Sequence, residues 1–182
     1  MRPVTAIAVA ALLAVASAAS AAAPPPARAV PAAFYSGRWY EIARVPNLGQ
    51  RDCQAPRSEF TPIGGGGDVA FISTTGEFVV RQICRKGSAD GPAKVISTKG
   101  RVLPGSRNAR FEMVFLGGVK TQEYWVLDTA ADGGWAIMAT PGGNYVWLLS
   151  RRPAMSEAAR AAAVARIRAL GYGQTLEFPA QG

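Results

Sequence analysis

The side chains that most often carry enzyme chemistry near neutral pH are sparse in this sequence. Its 182 residues include no histidine, which removes Ser–His and Cys–His nucleophile pairs and the commonest metal ligand. Glu123, Asp128 and Asp132 could form a carboxylate pair for acid–base catalysis. Their spacing does not require such a site, because acidic residues beside turns are common. We therefore predict no catalytic residue, no cofactor and no metal, and a carboxylate-dependent enzyme is the alternative.

The N-terminus has the pattern of an export signal. Arg2 gives a positive start, and the apolar run from Ala6 to Val15 has the length of a signal-peptide core. The small residues that follow predict cleavage after Ala18 or Ala21. A retained membrane anchor is the alternative, although the run is short for a membrane span.

The export signal sets the predicted domain organisation. We predict a signal peptide over residues 1–21, a Pro- and Ala-rich linker over 22–33 and one folded domain over 34–182. Export would place the protein in the periplasm or outside the cell. The predicted signal contains no cysteine that could carry a lipid.

Two cysteines, Cys53 and Cys84, are the only ones in the chain. An oxidising compartment would let them pair. A disulfide between them would close a loop of roughly 30 residues and contribute about 3–4 kcal/mol by the chain-entropy estimate. Two buried free thiols are the alternative.

The charge balance is basic, with a formal net charge of +8. The arginines are scattered, and the longest basic runs are the pairs Arg85-Lys86 and Arg151-Arg152. This dispersion argues against a nucleic-acid partner. An anionic membrane surface is the partner that the charge favours instead. The sequence does not predict the oligomeric state.

The elements that must position these residues are mainly strands. Period-2 alternation of apolar and polar residues, interrupted by Gly- and Pro-rich turns, predicts strands and no helix from residue 34 to residue 150. The predicted strands are Phe34–Arg44, one beginning at Ser58–Thr61, Val69–Ser73, Phe78–Arg85, Lys94–Leu103, Ala109–Leu116, Glu123–Asp128, Trp135–Thr140 and Tyr145–Ser150. Short strands with local connections indicate an antiparallel sandwich or barrel.

One helix is predicted, from Ser156 to Leu170. Ser156 can cap its N-terminus and Gly171 can end it. Its apolar stripe predicts packing on the outside of the sheet, and a membrane-surface helix is the alternative. Residues Gln174–Phe178 are predicted to form a last short strand.

The segment Gly37–Arg44, with the sequence Gly-Arg-Trp-Tyr-Glu-Ile-Ala-Arg, resembles the first signature of the lipocalins. Its extended form is typical of the bacterial and apolipoprotein-D-like branch. The resemblance implies an all-β fold, an eight-stranded antiparallel up-and-down barrel with one C-terminal helix packed outside. It makes Gly37, Trp39 and Arg151 the structural signature. In this fold Trp39 plugs the closed end of the barrel, and Arg151 lies across its ring.

Two further features bear on the resemblance. Lipocalins often carry Thr-Asp-Tyr before the seventh strand, whereas here Ala130 and Ala131 follow Thr129. In related lipocalins a cysteine that opens the second strand bonds one that closes the third, and Cys53 and Cys84 match those positions.

The resemblance also implies a function. A barrel of this size holds one small ligand. The family branch implies a fatty acid or lysophospholipid, stored or transported in the cell envelope. The predicted ligand-binding residues are Glu41, Phe111, Met113, Phe115, Tyr145 and Trp147, although the aromatic ones could be ordinary core. The alternative is a protein-binding or inhibitor module that uses exposed loops, such as Gly64–Asp68 or Gly117–Gln122.

Overall fold

A computed structural model describes residues 24–63 and 76–182, and its strands close into one antiparallel barrel. The strands are β1 (Gly37–Arg44), β2 (Cys53–Pro62), β3 (Glu77–Lys86), β4 (Ala93–Val102), β5 (Arg110–Phe115), β6 (Lys120–Thr129), β7 (Trp135–Ala139) and β8 (Val146–Ser150). Each strand pairs with the next, and β8 pairs with β1, so the barrel leaves no sheet edge unpaired. This is the eight-stranded up-and-down barrel that the resemblance to the lipocalins implies.

The closed end of the barrel is filled by aromatic side chains. Trp39, Phe60, Phe78 and Phe111 are buried inside it and contact one another or the adjacent Phe34. A short 3-10 helix, Ala32–Tyr35, brings Phe34 and Tyr35 under the barrel. The alternation of inward and outward residues along the strands produces this core.

Glycine makes the tight packing of this core feasible at one position. Gly100 on β4 pairs with Phe78 on β3. A side-chain carbon at Gly100 would collide with the ring of Phe78, so only glycine leaves room for the ring.

A second core lies between the outer wall of the barrel and the helix α1 (Glu157–Ala169). Ser156 caps α1, because its Oγ accepts a hydrogen bond from the backbone N–H of Ala159 at 3.3 Å. Ala163 and Ile167 are buried against outward residues of the barrel. Arg166 holds α1 to β6 through an ion pair with Asp128 (2.6 Å). The helix therefore packs outside the barrel, as predicted.

Several boundaries differ from the sequence prediction. Residues 34 and 35 belong to the 3-10 helix rather than to a strand, and β1 begins only at Gly37, whose φ is 71°. Strand β2 begins at Cys53, several residues before the predicted start at Ser58. Residues 174–178 form a single bridge, Arg44 to Glu177, rather than a strand. The strand predicted at Val69–Ser73 lies outside the described residues.

The described part of the predicted linker contacts the closed end. The backbone N–H of Val30 donates to the carbonyl of Arg107 (3.0 Å), and Asn108 Nδ2 donates to the Val30 carbonyl (3.2 Å). The predicted signal peptide falls outside the described residues. In the part of the chain that is described, no helix is long and apolar enough to cross a membrane.

Candidate ligand-binding site at the open end

The open end of the barrel contains a cavity of about 370 Å³. It lies inside the ends of β1–β6 and β8 and beside the loop that connects β1 to β2. Its apolar lining includes Ile96, Phe115, Tyr124, Trp147 and the Cys53–Cys84 disulfide. Its polar and charged lining includes Glu41, Gln50, Arg51, Arg57, Ser58, Gln82, Lys86 and Lys94. The cavity is thus amphipathic.

The aromatic wall rests directly on the closed-end core. The Tyr124 ring stacks on Phe111, with centroids 5.4 Å apart, and lies 5.9 Å from the Trp147 ring. Burial raises the pKa of Tyr124 to about 12, so its hydroxyl stays protonated near neutral pH. That hydroxyl has no hydrogen-bond partner among the described residues and is available to a ligand.

Two lysines flank the disulfide on the opposite side of the cavity. In the register of the sheet Lys86 pairs with Cys53, and Lys94 pairs with Cys84. Lys86 lies two residues after Cys84, so the two lysines are diagonal neighbours on the same face. Neither forms an ion pair with a carboxylate among the described residues. This side of the cavity therefore presents two ammonium groups that form no ion pair in the described part of the chain, with Asp52 as the nearby carboxylate of the lining.

Glu41 and Arg44 form a buried polar network beside the cavity. Arg44, which is fully buried, donates from Nη1 to Glu41 Oε1 (2.7 Å) and forms a second ion pair with Glu177. Gln50 Nε2 donates to Glu41 Oε2 (2.7 Å), and Trp147 Nε1 donates to Gln50 Oε1 (3.0 Å). The network joins the β1–β2 loop, the cavity wall and the C-terminal segment.

The charge of this network affects the pKa of Glu41. Burial raises that pKa above its ordinary value, against the opposing effects of the ion pair with Arg44 and the hydrogen bond from Gln50. Arg44 cannot fully offset the burial, because one guanidinium is shared between the carboxylates of Glu41 and Glu177. Glu177 also raises the pKa of Glu41 by like-charge repulsion.

A β-bulge brings Glu41 and Arg44 together. On a regular strand, residues three apart point to opposite faces. The pairing of β1 with β8 shifts between Glu41 and Ala43, so Arg44 returns to the face that Glu41 occupies. Sequence alternation alone could not predict this pair.

The predicted ligand-binding residues fall into three positions. Glu41, Phe115 and Trp147 line the cavity. Phe111 and Met113 face the interior but are buried in the core beneath it and do not line it. The side chain of Tyr145 is 39% exposed and lines a groove at the rim. Contact of any of these residues with a ligand remains a prediction.

Sequence reasoning missed Gln50, Lys86 and Lys94. Lys86 had a usable signal, because the alternation of β3 places Gln82 and Cys84 on the face that carries the buried Phe78 and Val80. Extending that alternation by two residues places Lys86 on the same face of β3. Gln50 had no such signal, because it lies in a loop rather than in a strand.

The candidate catalytic carboxylates have structural partners. Glu123 accepts hydrogen bonds from Arg110 and Trp125, and Asp132 accepts one from the backbone N–H of Gly134. Asp128 binds Arg166 of α1. None of the three lines the open-end cavity. Among residues 24–63 and 76–182, no group of three or more acidic or cysteine residues could hold a metal ion.

The signature residues meet at the closed end. The Arg151 guanidinium lies 3.7 Å from the centroid of the Trp39 ring, the arrangement that the sequence predicts. Arg151 also donates to the backbone carbonyl of Ser36 (2.7 Å), and Trp39 Nε1 donates to that of Phe34 (2.8 Å). Burial lowers the pKa of Arg151 to about 10, which leaves it charged near neutral pH.

Residues 30–181 match the family model of the lipocalin-like domain. The chain belongs to the lipocalin-like family. A search of curated protein sequences found no match for this lipocalin-like protein.

Solved lipocalin-like structures share its fold. It is similar to insecticyanin from the tobacco hornworm Manduca sexta at 14% identity, with 87% of this chain and 84% of that chain covered and a TM-score of 0.64. It is similar to lobster apocrustacyanin A1 at 14% identity, with 88% and 91% covered and a TM-score of 0.54. For the allergen Per a 4 from cockroaches, the identity is 20%, the coverage 81% and 86% and the TM-score 0.55. These likenesses establish the fold.

Proposed function

We propose that this protein binds one small hydrophobic ligand of the fatty acid or lysophospholipid class and stores or transports it in the cell envelope. The observation that carries the proposal is the amphipathic cavity, in which an aromatic wall faces two unpaired lysines. A binding role also suits the lipocalin-like family, whose members are typically binding and transport proteins rather than enzymes.

The apolar side of the cavity suits an acyl chain. Its volume of about 370 Å³ lies in the range of small-molecule sites. Each methylene that leaves water for the surface formed by Phe115, Tyr124 and Trp147 contributes about 0.8 kcal/mol. A chain of moderate length can therefore bind without an elaborate set of polar contacts.

The charged side suits an acidic head group. Lys86 and Lys94 can donate charge-assisted hydrogen bonds to a carboxylate or a phosphate at the mouth. Glu41 would repel such a group less than an unpaired carboxylate would, because Arg44 and Gln50 both donate to it. The head group of the proposed ligand therefore lies near the lysines, and its chain extends toward Trp147.

The cellular setting is part of the proposal. The Gly37–Arg44 motif supports the bacterial and apolipoprotein-D-like branch of the family. The disulfide between Cys53 and Cys84 is typical of proteins that fold in oxidising compartments, such as the periplasm or the extracellular space. An anionic membrane surface is the second proposed partner. A protein-binding module is less well supported, because it would not need the open cavity.

Tryptophan fluorescence tests the ligand directly, because Trp147 lies in the cavity wall. We would titrate the protein with lauric acid and with lauryl alcohol, which share a chain and differ in charge. We expect both to change the fluorescence and the acid to bind more tightly. Lys86→Ala combined with Lys94→Ala should weaken lauric acid binding by roughly tenfold and change alcohol binding little.

Lys99→Ala is the matched control, because Lys99 lies on the outer face of β4, the strand that carries Lys94. It should bind both compounds like the wild type. Native mass spectrometry of the protein with a lauroyl lysophospholipid would give an independent measure of binding. The proposal fails if neither method detects binding of any of the three compounds.

A further inference from the structure

The most exposed large apolar side chains of the described residues lie together at the open end. Val119, Leu48 and Leu116 are 87%, 81% and 77% exposed. Leu48 is in the β1–β2 loop, and Leu116 and Val119 are in the β5–β6 turn. All other large apolar side chains in the described ranges are less than half exposed. Exposed apolar residues that gather at one end of a molecule mark an interaction surface.

The backbone of the β5–β6 turn adds to this pattern. Leu116 has a φ of 51°, in the left-handed region that a leucine rarely occupies. Gly117 and Gly118, also at positive φ, complete the turn that projects Leu116 and Val119 from the barrel. The strained backbone of this turn holds Leu116 and Val119 in water, and this arrangement does not stabilise the isolated protein.

The charges around these side chains indicate the chemistry of the partner. Five basic residues at the same end form no ion pair among the described residues: Arg51, Arg85, Lys86, Lys94 and Lys120. The acidic residues at this end are Asp52, Asp90, Glu41 and Glu177. These four are outnumbered by the five unpaired basic residues and Arg44, so the rim carries net positive charge. Apolar tips surrounded by unpaired cations are complementary to an anionic phospholipid surface.

The rim is continuous with the proposed ligand site. A groove of about 400 Å³ runs between Leu48, Leu116 and Tyr145. It shares Phe115, Tyr124 and Trp147 with the cavity. An acyl chain could pass from a bilayer touching Leu48 and Leu116 into the cavity without crossing bulk water.

We propose that the open rim, formed by Leu48, Leu116, Val119 and the cations around them, docks on an anionic phospholipid bilayer. The apolar tips enter the head-group region, and the cations contact lipid phosphates. The barrel mouth then faces the membrane. The use of docking to exchange ligand rests on the proposed function, but docking itself is measurable without any ligand.

Vesicle flotation tests this surface with the full protein. The vesicles would contain either phosphatidylcholine alone or a mixture of phosphatidylglycerol and phosphatidylcholine. We expect the protein to float with the mixed vesicles, to bind pure phosphatidylcholine roughly tenfold more weakly, and to lose binding as salt is raised. Absence of binding to the mixed vesicles, or equal binding to both compositions, would overturn the proposal.

Leu116→Asp combined with Val119→Asp should weaken binding to the mixed vesicles by roughly tenfold or more. Aspartate tolerates a positive φ better than leucine does, so the turn should keep its shape. Ala131→Asp is the control, because Ala131 is exposed in the β6–β7 turn at the closed end of the barrel, away from the rim. If the control and the double variant lost vesicle binding equally, the rim would not be a specific docking surface.

Titration with soluble lauric acid and lauryl alcohol separates the two proposals. We expect the double variant to bind the uncharged lauryl alcohol as the wild type does, since neither residue lines the cavity and the added aspartates do not repel a neutral ligand. A wild type that binds lauric acid but no anionic vesicle would leave the ligand proposal intact and refute docking. A wild type that binds anionic vesicles but no lipid in solution would support docking and refute the ligand proposal.

Discussion

The two ends of the barrel are stabilised by different means. The closed end is densely packed, with Trp39 between an aromatic cluster and the Arg151 guanidinium. The open end keeps a cavity, so its walls lack the packing partners that a filled core would supply. There the Cys53–Cys84 disulfide joins β2 to β3, and the Glu41–Arg44 network joins the loop and the C-terminal segment to β1. An end that must stay hollow relies on covalent and polar links.

The largest expected effect tests the packed end. Trp39→Ala should lower the free energy of unfolding by about 3–5 kcal/mol, because it leaves a large cavity and removes the partner of Arg151. Urea denaturation would measure the loss. The protein that remains folded should bind lauric acid normally, since Trp39 does not line the cavity.

Trp135→Ala provides the comparison, because Trp135 is only partly buried and lies on the outer wall. Trp135→Ala should lower the free energy of unfolding clearly less than Trp39→Ala does. If Trp39→Ala abolished binding and left the melting temperature unchanged, the division between a structural end and a binding end would be wrong.

The next effect concerns the hollow end. Replacing Cys53 and Cys84 together by serine should lower the free energy of unfolding by about 3–4 kcal/mol, because the bridge closes a loop with a sequence separation of 31. Lauric acid affinity should also fall, since the bridge positions Lys86 and Lys94. A reducing agent should destabilise the wild type to the level of the variant and leave the variant unchanged. Unaltered ligand affinity in the variant would show that the bridge serves stability alone.

The smallest expected effect is a change in how the free energy of unfolding depends on pH when Glu41 is replaced. In the unfolded chain this carboxyl titrates near its ordinary pKa of 4.5, and burial raises the pKa in the folded protein. Between the two values the folded protein binds more protons, so its free energy of unfolding falls as the pH rises through that window. Glu41→Gln removes this contribution and should flatten the fall.

Urea denaturation at a series of pH values from 4.5 upward would measure how the free energy of unfolding changes with pH in the wild type and in Glu41→Gln. Identical slopes in the wild type and Glu41→Gln would mean that Arg44 fully compensates the buried charge. Burial of the Glu41 charge would then not lower the free energy of unfolding of the open end.

Much of this architecture was predictable because it depends on local patterns. Alternation along β5 places Phe111, Met113 and Phe115 on one face, and the structure finds that face inside the barrel. Ser156 and the apolar stripe that follows predict α1 and its position outside the barrel. The segment Gly37–Arg44 predicts the meeting of Trp39 with Arg151 through its resemblance to the lipocalins.

The candidate site was only partly predictable, because it depends on depth and register. The same face of β5 contributes Phe111 to the solid core and Phe115 to the cavity, and alternation cannot separate them. Lys86 and Lys94 become neighbours only when β3 pairs with β4 in one particular register. Glu41 and Arg44 share a face only because β1 bulges against β8.

The sequence by itself determined most of the strands of the barrel, the apolar face of β5 and the start of the helix. These properties follow from the two-residue period of a strand and from the capping of a helix, and both act over a few neighbouring residues. The tertiary structure alone decided which end of the barrel is filled, which polar groups converge and which loops share a rim. Those features arise from contacts between residues far apart in the chain, which are set only when β8 closes on β1.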